Sequence, residues 1–225
     1  MASSSPPLRR SVFISINSTF FSQDPNILLG KTPIKVVREA KFLGVIFDTK
    51  LTFKNHNQYL KIFCQKALDI LRVVGHTDWG ADRIVLLRLY CSLVRSKLDY
   101  RCIVYGSARR SVLRQLDPIH HQVLRIVLGA FRTSPAQSLN VAAHEPSLTS
   151  RRLKLAINYV LKLKSLPENP AYSCVFEPEN LKLFEELASK MPPLGIRIIL
   201  HLEKSQINCN LIKDASCLDI APWTL

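Results

Sequence analysis

Hydrophobic positions change their spacing once along this chain, near Thr52. Ahead of that point the apolar runs are short and β-branched. Residues 12–16, 34–37 and 42–48 predict three strands, with a turn at Gly30-Lys31. The run 42–48 is apolar almost throughout, which predicts a strand covered on both faces. From Thr52, a fair N-cap, the residues Tyr59, Ile62, Phe63, Cys64, Leu68 and Leu71 recur near a helical period, and Gly75 suits the stop. Asp82 is the expected N-cap of a second helix. Ile84, Leu87, Cys91, Val94 and Leu98 line its inner face, and Leu86, Leu89 and Leu93 widen the stripe.

Beyond Gly106-Ser107, residues 109–128 read as helical, and Asp117-Pro118 either kinks one helix or opens a second. Two helices meeting there is the favoured arrangement, because proline fits a first turn and not an interior. Gly129 is a natural stop, and Ser134-Pro135 starts a short helix to about Ala143. Ser150 starts a longer helix, with Leu153, Ile157, Val160 and Leu161 inward and Arg151, Arg152, Lys154, Lys162 and Lys164 outward. Pro167 and Pro170 end it. The remainder reads as loop-rich, with one helix expected at 180–190. The fold class is therefore mainly α, with a short N-terminal β segment followed by a basic helical bundle.

Composition narrows the partners. The chain has 225 residues, 47% of them hydrophobic and 21% charged, enough to bury a core and too apolar for disorder. Lysine and arginine total 31 against 17 acids, a formal net charge of +14. The excess sits in residues 49–165, with 20 basic and 6 acidic residues, whereas 166–225 hold 5 and 8. A concentrated positive field favours an anionic polymer, of which nucleic acid is the commonest. A solvated basic face without a partner is the plainer alternative. No run is long and apolar enough to span a membrane, and the apolar stretch at 12–16 is too short for a convincing signal peptide. The cysteines at 64, 91, 102, 174, 209 and 217 form no Cys-x-x-Cys pair. They read as buried reduced thiols of an intracellular protein, nuclear or cytoplasmic.

Candidate chemistry is sparse. Two-metal chemistry needs converging carboxylates, but every aspartate stands alone and the adjacent pair Glu185-Glu186 lies in the acidic tail. There is no phosphate loop and no Gly-x-Ser-x-Gly turn. His120-His121 would point about 100° apart on a helix, poorly placed to share one metal ion. The expectation is no catalytic residue, no metal site and no cofactor. What the chain offers is cationic helical surface: Arg83, Arg88, Arg95, Lys97 and Arg101, then Arg109, Arg110, Arg114 and Arg125, then Arg151, Arg152 and Lys154. Such groups neutralise phosphates with little sequence preference. Tyr90, Tyr100 and Tyr105 can stack on bases or sugars, although core packing is the more ordinary role of each.

Six strings in order carry more than composition does. They are Lys41-Phe-Leu-Gly-Val-Ile-Phe-Asp48, Asp78-Trp-Gly-Ala-Asp-Arg83, Arg95-Ser-Lys-Leu-Asp-Tyr100, Val104-Tyr-Gly-Ser-Ala-Arg109, Leu128-Gly-Ala-Phe-Arg-Thr-Ser-Pro135 and Glu145-Pro-Ser-Leu-Thr-Ser-Arg-Arg152. Together they resemble reverse transcriptases of jockey-like non-LTR retrotransposons, over residues 27–176. The resemblance implies a division into a poorly matched segment 1–26 and the last strands of a polymerase palm at 27–48. A helical thumb and connector at 49–165 follows, then an acidic linker at 166–225 that would precede an RNase H domain. It implies a primer-grip-like role for Phe42, Leu43 and Gly44. It places the Tyr/Phe-x-Asp-Asp motif and its partner aspartate, which bind Mg in a complete enzyme, before the region covered here. Arg101 stands where relatives typically carry glycine.

The expected function is thus a catalytically incomplete piece of an RNA-directed DNA polymerase that binds RNA–DNA or DNA duplex through backbone contacts. The alternatives are a basic helical protein that docks an acidic protein or ribonucleoprotein, and a translated relic without function. In each case the truncated sheet at 34–48 leaves unpaired strand edges, a predicted aggregation liability.

Overall fold

A computed structural model describes residues 12–13, 28–29, 31–76, 79–177 and 193–206. Its β segment is a set of two-stranded pairings. β1 (Val12–Phe13) runs parallel to β4 (Lys35–Val36), and β2 (Leu28–Leu29) pairs antiparallel with β3 (Thr32–Pro33). β5 (Glu39–Phe42) and β6 (Val45–Asp48) form an antiparallel hairpin with Phe42 opposite Val45. This corrects the single covered strand expected at 42–48. Leu43 and Gly44 both adopt positive φ, 46° and 86°, and so form the two-residue turn that matches strand twist in a hairpin. Only Val45 of the hairpin is fully buried, while Phe42 and Leu43 stand exposed at the tip.

Asp48 joins the hairpin to the first helix. Its carboxylate accepts hydrogen bonds from the amides of Lys50, Thr52 and Phe53 and from the Thr52 hydroxyl, at 2.8–3.1 Å. Partial burial pushes its pKa up, but these bonds outweigh that and hold the carboxyl below its ordinary value. α1 (Lys54–Val74) therefore starts with Phe53 as N-cap and Asp48 holding the preceding turn, not with the Thr52 cap the sequence suggests. Its buried stripe is His56, Asn57, Leu60, Cys64, Ala67, Leu68 and Leu71. Tyr59 and Ile62, expected inward, are exposed. The stripe is rotated because the Asn57 amide reaches the Val112 carbonyl at 2.7 Å and His56 lies 5.1 Å from the Tyr105 ring, ring centre to ring centre.

α2 (Arg83–Tyr90) is capped by Asp82, whose side chain accepts from the Val85 amide at 2.8 Å, as expected. A π-turn at Cys91–Arg95 carries it into α3 (Ser96–Asp99). The buried row is Leu86, Tyr90, Val94 and Leu98, and Ile84 is exposed. Residues four apart drift about 40° around an α-helix, and a wider turn absorbs that drift. α4 (Cys102–Tyr105), α5 (Arg110–Leu113) and a 3₁₀ turn (Arg114–Leu116) lead to α6 (Asp117–Leu128). Two elements do meet at Asp117-Pro118, and Gly129 closes α6 at φ 60°.

α7 (Ala136–Ala142) follows Pro135, the N-cap in place of Ser134. α8 (Leu148–Lys164) opens two residues before the expected start, because Ser147 and not Ser150 is its cap, accepting from the Ser150 amide. α9 (Ala171–Phe176) and α10 (Leu194–Lys204) add helix where only loop and the 180–190 helix were expected; that helix lies outside the described residues.

Two hydrophobic clusters hold these elements. The larger joins Val45 and Phe53 to α1, α2, α3, α6 and α7. The smaller packs Ala156 and Val160 of α8 on Ile198 and Leu202 of α10. Inside the larger cluster, the Tyr90 hydroxyl donates to His120 Nδ1 at 2.7 Å, and His120 Nε2 donates to Asn140 Oδ1 at 3.1 Å. This arrangement needs a neutral ring, and burial lowers the His120 pKa to about 4. Tyr90 and Tyr105 are core residues at 1% exposure each, and the Tyr105 hydroxyl donates to the Leu98 carbonyl. Cys64 and Cys102 are buried, Cys91 is half-buried, and Cys174 is exposed, against the expectation that the thiols are buried. No helix among the described residues is long and apolar enough to cross a membrane.

Candidate nucleic-acid interface

The hairpin tip sits against the end of α3. The Tyr100 hydroxyl donates to the Leu43 carbonyl at 3.0 Å, and a methyl group at Gly44 would lie 3.1 Å from the Tyr100 ring. Glycine at 44 is thus set by both its φ and this close approach. Leu43 holds a left-handed conformation that a leucine adopts at a cost of about 1–2 kcal/mol, with its side chain 56% exposed. An apolar side chain under strain in water contributes little to the fold, which makes it a candidate contact.

Three cation–ring pairs lie on the hairpin, α1 and the end of α3. Lys41 Nζ lies 4.8 Å from the Tyr59 ring centre, Lys97 Nζ 4.9 Å from that of Phe63, and the Arg101 guanidinium 5.3 Å from that of Tyr100. Arg101 Nε also donates to the Tyr100 hydroxyl at 3.0 Å. Its φ is 52°, a backbone position where glycine would be unstrained, the residue that the resemblance leads one to expect there. Sequence reasoning gave Lys41 no role of its own and placed Tyr59 in the apolar stripe of the first helix. Their pairing depends on the hairpin folding back on α1, which no local spacing encodes.

The remaining expected cations fall into three groups. Arg95 pairs with Glu145, and Arg151 forks onto Asp99, with Nη2 at 2.7 Å and Nε at 3.1 Å from Oδ2. Every side chain of the two pairs is more than seven-tenths buried. They fasten the 145–151 stretch to the helix of residues 91–99. Arg83 donates to the Ala142 carbonyl, tying α2 to the end of α7, and Arg125 to that of Ser134 at 3.1 Å, tying α6 to the loop before α7. Arg88, Lys97, Arg109, Arg110, Arg114 and Lys154 are exposed, and Arg152 is half-exposed. None of these seven makes an ion pair among the described residues.

Three of the seven converge. Arg110 and Arg114, one turn apart, face Arg152 of α8 across a cleft of about 360 Å³ that Arg197 and His201 of α10 close. Partial burial holds the Arg197 guanidinium below its ordinary pKa. Sequence reasoning overlooked Arg197 and His201. Their signal was a four-residue spacing on an apolar helical run after Pro193.

The described residues hold no cluster of three His, Cys, Asp or Glu side chains fit for a metal ion. Asp48 and Asp82 satisfy backbone amides, and Asp99 and Glu145 satisfy arginines. His120 is committed to Tyr90 and Asn140. These four carboxylates are therefore not free to face a Mg ion.

The chain is similar to the RNA-directed DNA polymerase from mobile element jockey of Drosophila funebris. They are 24% identical over 149 residues, 65% of this chain and 16% of that protein. It is also similar to the probable RNA-directed DNA polymerase from transposon X-element of Drosophila melanogaster, 24% identical over 110 residues, 47% of this chain and 12% of that protein. The relationship to retrotransposon RNA-directed DNA polymerases is distant, and the chain matches less than a fifth of the length of these relatives. No protein-family model matches the chain, and no solved structure matches it.

Proposed function

We propose that this chain is the end of the palm, the thumb and the connector of a non-LTR retrotransposon RNA-directed DNA polymerase, and that it binds RNA–DNA or DNA duplex without regard to sequence. The observation that carries the reading is the hairpin tip Phe42-Leu43-Gly44 pinned to Tyr100, with the cation Lys41 on the hairpin and the cations Lys97 and Arg101 on the stretch that carries Tyr100. A duplex lying there meets exposed apolar surface at the tip and cations at its backbone. The exposed cations hold phosphates by charge alone, which lets a strand slide. Arg95 and Arg151 serve this surface indirectly, by fixing the helices that carry it.

In this reading the polymerising chemistry belongs to other parts of the family's proteins, in keeping with the engagement of Asp48, Asp82, Asp99 and Glu145 by backbone amides and arginines. Primer extension by the purified chain, absent in a metal-chelated control, would contradict that assignment. Competition tests the binding itself. Unlabelled duplex of unrelated sequence should displace a labelled RNA–DNA hybrid, and polyglutamate of matched charge should not. Equal displacement by polyglutamate would instead favour docking of an acidic protein.

A further inference from the structure

The cleft between the Arg110–Leu116 stretch, α8 and α10 has a composition that gripping a duplex backbone does not require. Its cationic rim is Arg110, Arg114 and Arg152, and its floor is aliphatic: Ile103, Leu113, Leu153 and Ile198. No carboxylate is among the described residues that line it. A bare anion would use the rim and leave the floor wet. A purely apolar ligand would bury the floor and leave three guanidiniums without a counter-charge. A ligand that uses both is flat and apolar at one end and multiply anionic at the other.

We propose that this cleft holds one unpaired nucleotide of a bound strand, with the base on the aliphatic floor and the flanking phosphates on Arg110, Arg114 and Arg152. The inference rests on the nucleic-acid reading above. The volume suits it, because ligand cavities run from roughly 300 to 1,000 Å³ and this one lies near the lower end. A paired base is stacked inside its duplex and cannot enter, so the occupant is single-stranded. Guanidinium planes stack on bases, and an aliphatic floor reads no base edge, so the site takes any base. Position agrees with this: Cys102 and Ile103 line the cleft and follow directly on Tyr100 and Arg101, so strand leaving the tip patch has a short path to it.

The test compares a blunt RNA–DNA hybrid with the same hybrid carrying a short single-stranded overhang, using the full chain and fluorescence anisotropy. The overhang should tighten binding about tenfold, the order expected of added charge-assisted phosphate contacts. Arg110→Ala with Arg114→Ala should weaken the overhang hybrid by more than the blunt one, and so remove that gain. Thr149→Trp, at an exposed position of the first turn of α8, should also remove it by filling the cleft while keeping every arginine. Equal affinity of the native chain for both hybrids overturns the proposal, and so do variants that weaken both hybrids alike. Binding of neither hybrid overturns the duplex reading itself, and the cleft proposal with it.

Discussion

Arg101 is where strain, charge and sequence meet. Its left-handed backbone costs a non-glycine residue about 1–2 kcal/mol, partly offset by the freedom that glycine gives the unfolded chain. Arg101→Gly should therefore leave stability unchanged or raise it by up to about 1 kcal/mol in urea unfolding. The same variant should weaken hybrid binding, because it removes a cation over the Tyr100 ring. His120 gives a second test at this scale. Its folded pKa of about 4 lies below the ordinary value of 6.5, so the unfolded chain binds more protons between those limits. Stability is full above pH 6.5 and falls as the pH drops toward 4, by about 3 kcal/mol to order of magnitude. Burial also lowers His56 and His121, which steepens the same slope. Urea unfolding at pH 7.5 and pH 5 measures it, and stability independent of pH in that range would contradict the buried network. The sequence showed histidines at 120 and 121 but not this role, which depends on Tyr90 and Asn140 arriving from other helices.

The junctions decide which elements were legible. The helices at 54–74, 83–99 and 117–128 follow from periodicity, Asp82, Pro118 and Gly129, because those signals are local. The hairpin at 39–48 was not, because Leu43-Gly44 is a two-residue turn without the polar residue that usually marks one. The phase of α1 escaped for another reason: His56 and Asn57 are polar, and their burial depends on distant partners. Asp48 carries the link from hairpin to α1. Asp48→Ala should cost about 1–2 kcal/mol, the range of a lost helix cap, and should speed amide exchange over residues 50–57. Asp48 protonation acts in the same direction: its depressed pKa gives stability present above the ordinary carboxyl value and lost as the pH falls through the lower folded one. Asp99→Ala leaves the largely buried Arg151 guanidinium without its partner, and should loosen α8 from α3 by about 1–3 kcal/mol.

Across the whole molecule, charge segregation was the clearest message of the sequence, and the structure divides it into working parts. Some arginines of residues 83–151 hold helices and loops together, and others stand free of carboxylates on the surface. Sequence cannot make that division, since the partners Glu145 and Asp99 lie 50 and 52 residues away from their arginines. The exposed Phe42 and Leu43 at the tip of a two-stranded hairpin leave the aggregation liability in place, and hybrid binding should suppress it.

The most direct measurement is the affinity of the full chain for a blunt RNA–DNA hybrid across a salt series. The account predicts a steep linear fall of log affinity with log salt, set by the number of phosphates that Lys97, Arg109 and their exposed neighbours neutralise. A folded chain, judged by its helical circular dichroism, that fails to bind at low salt would contradict it, as would an affinity that salt leaves unchanged.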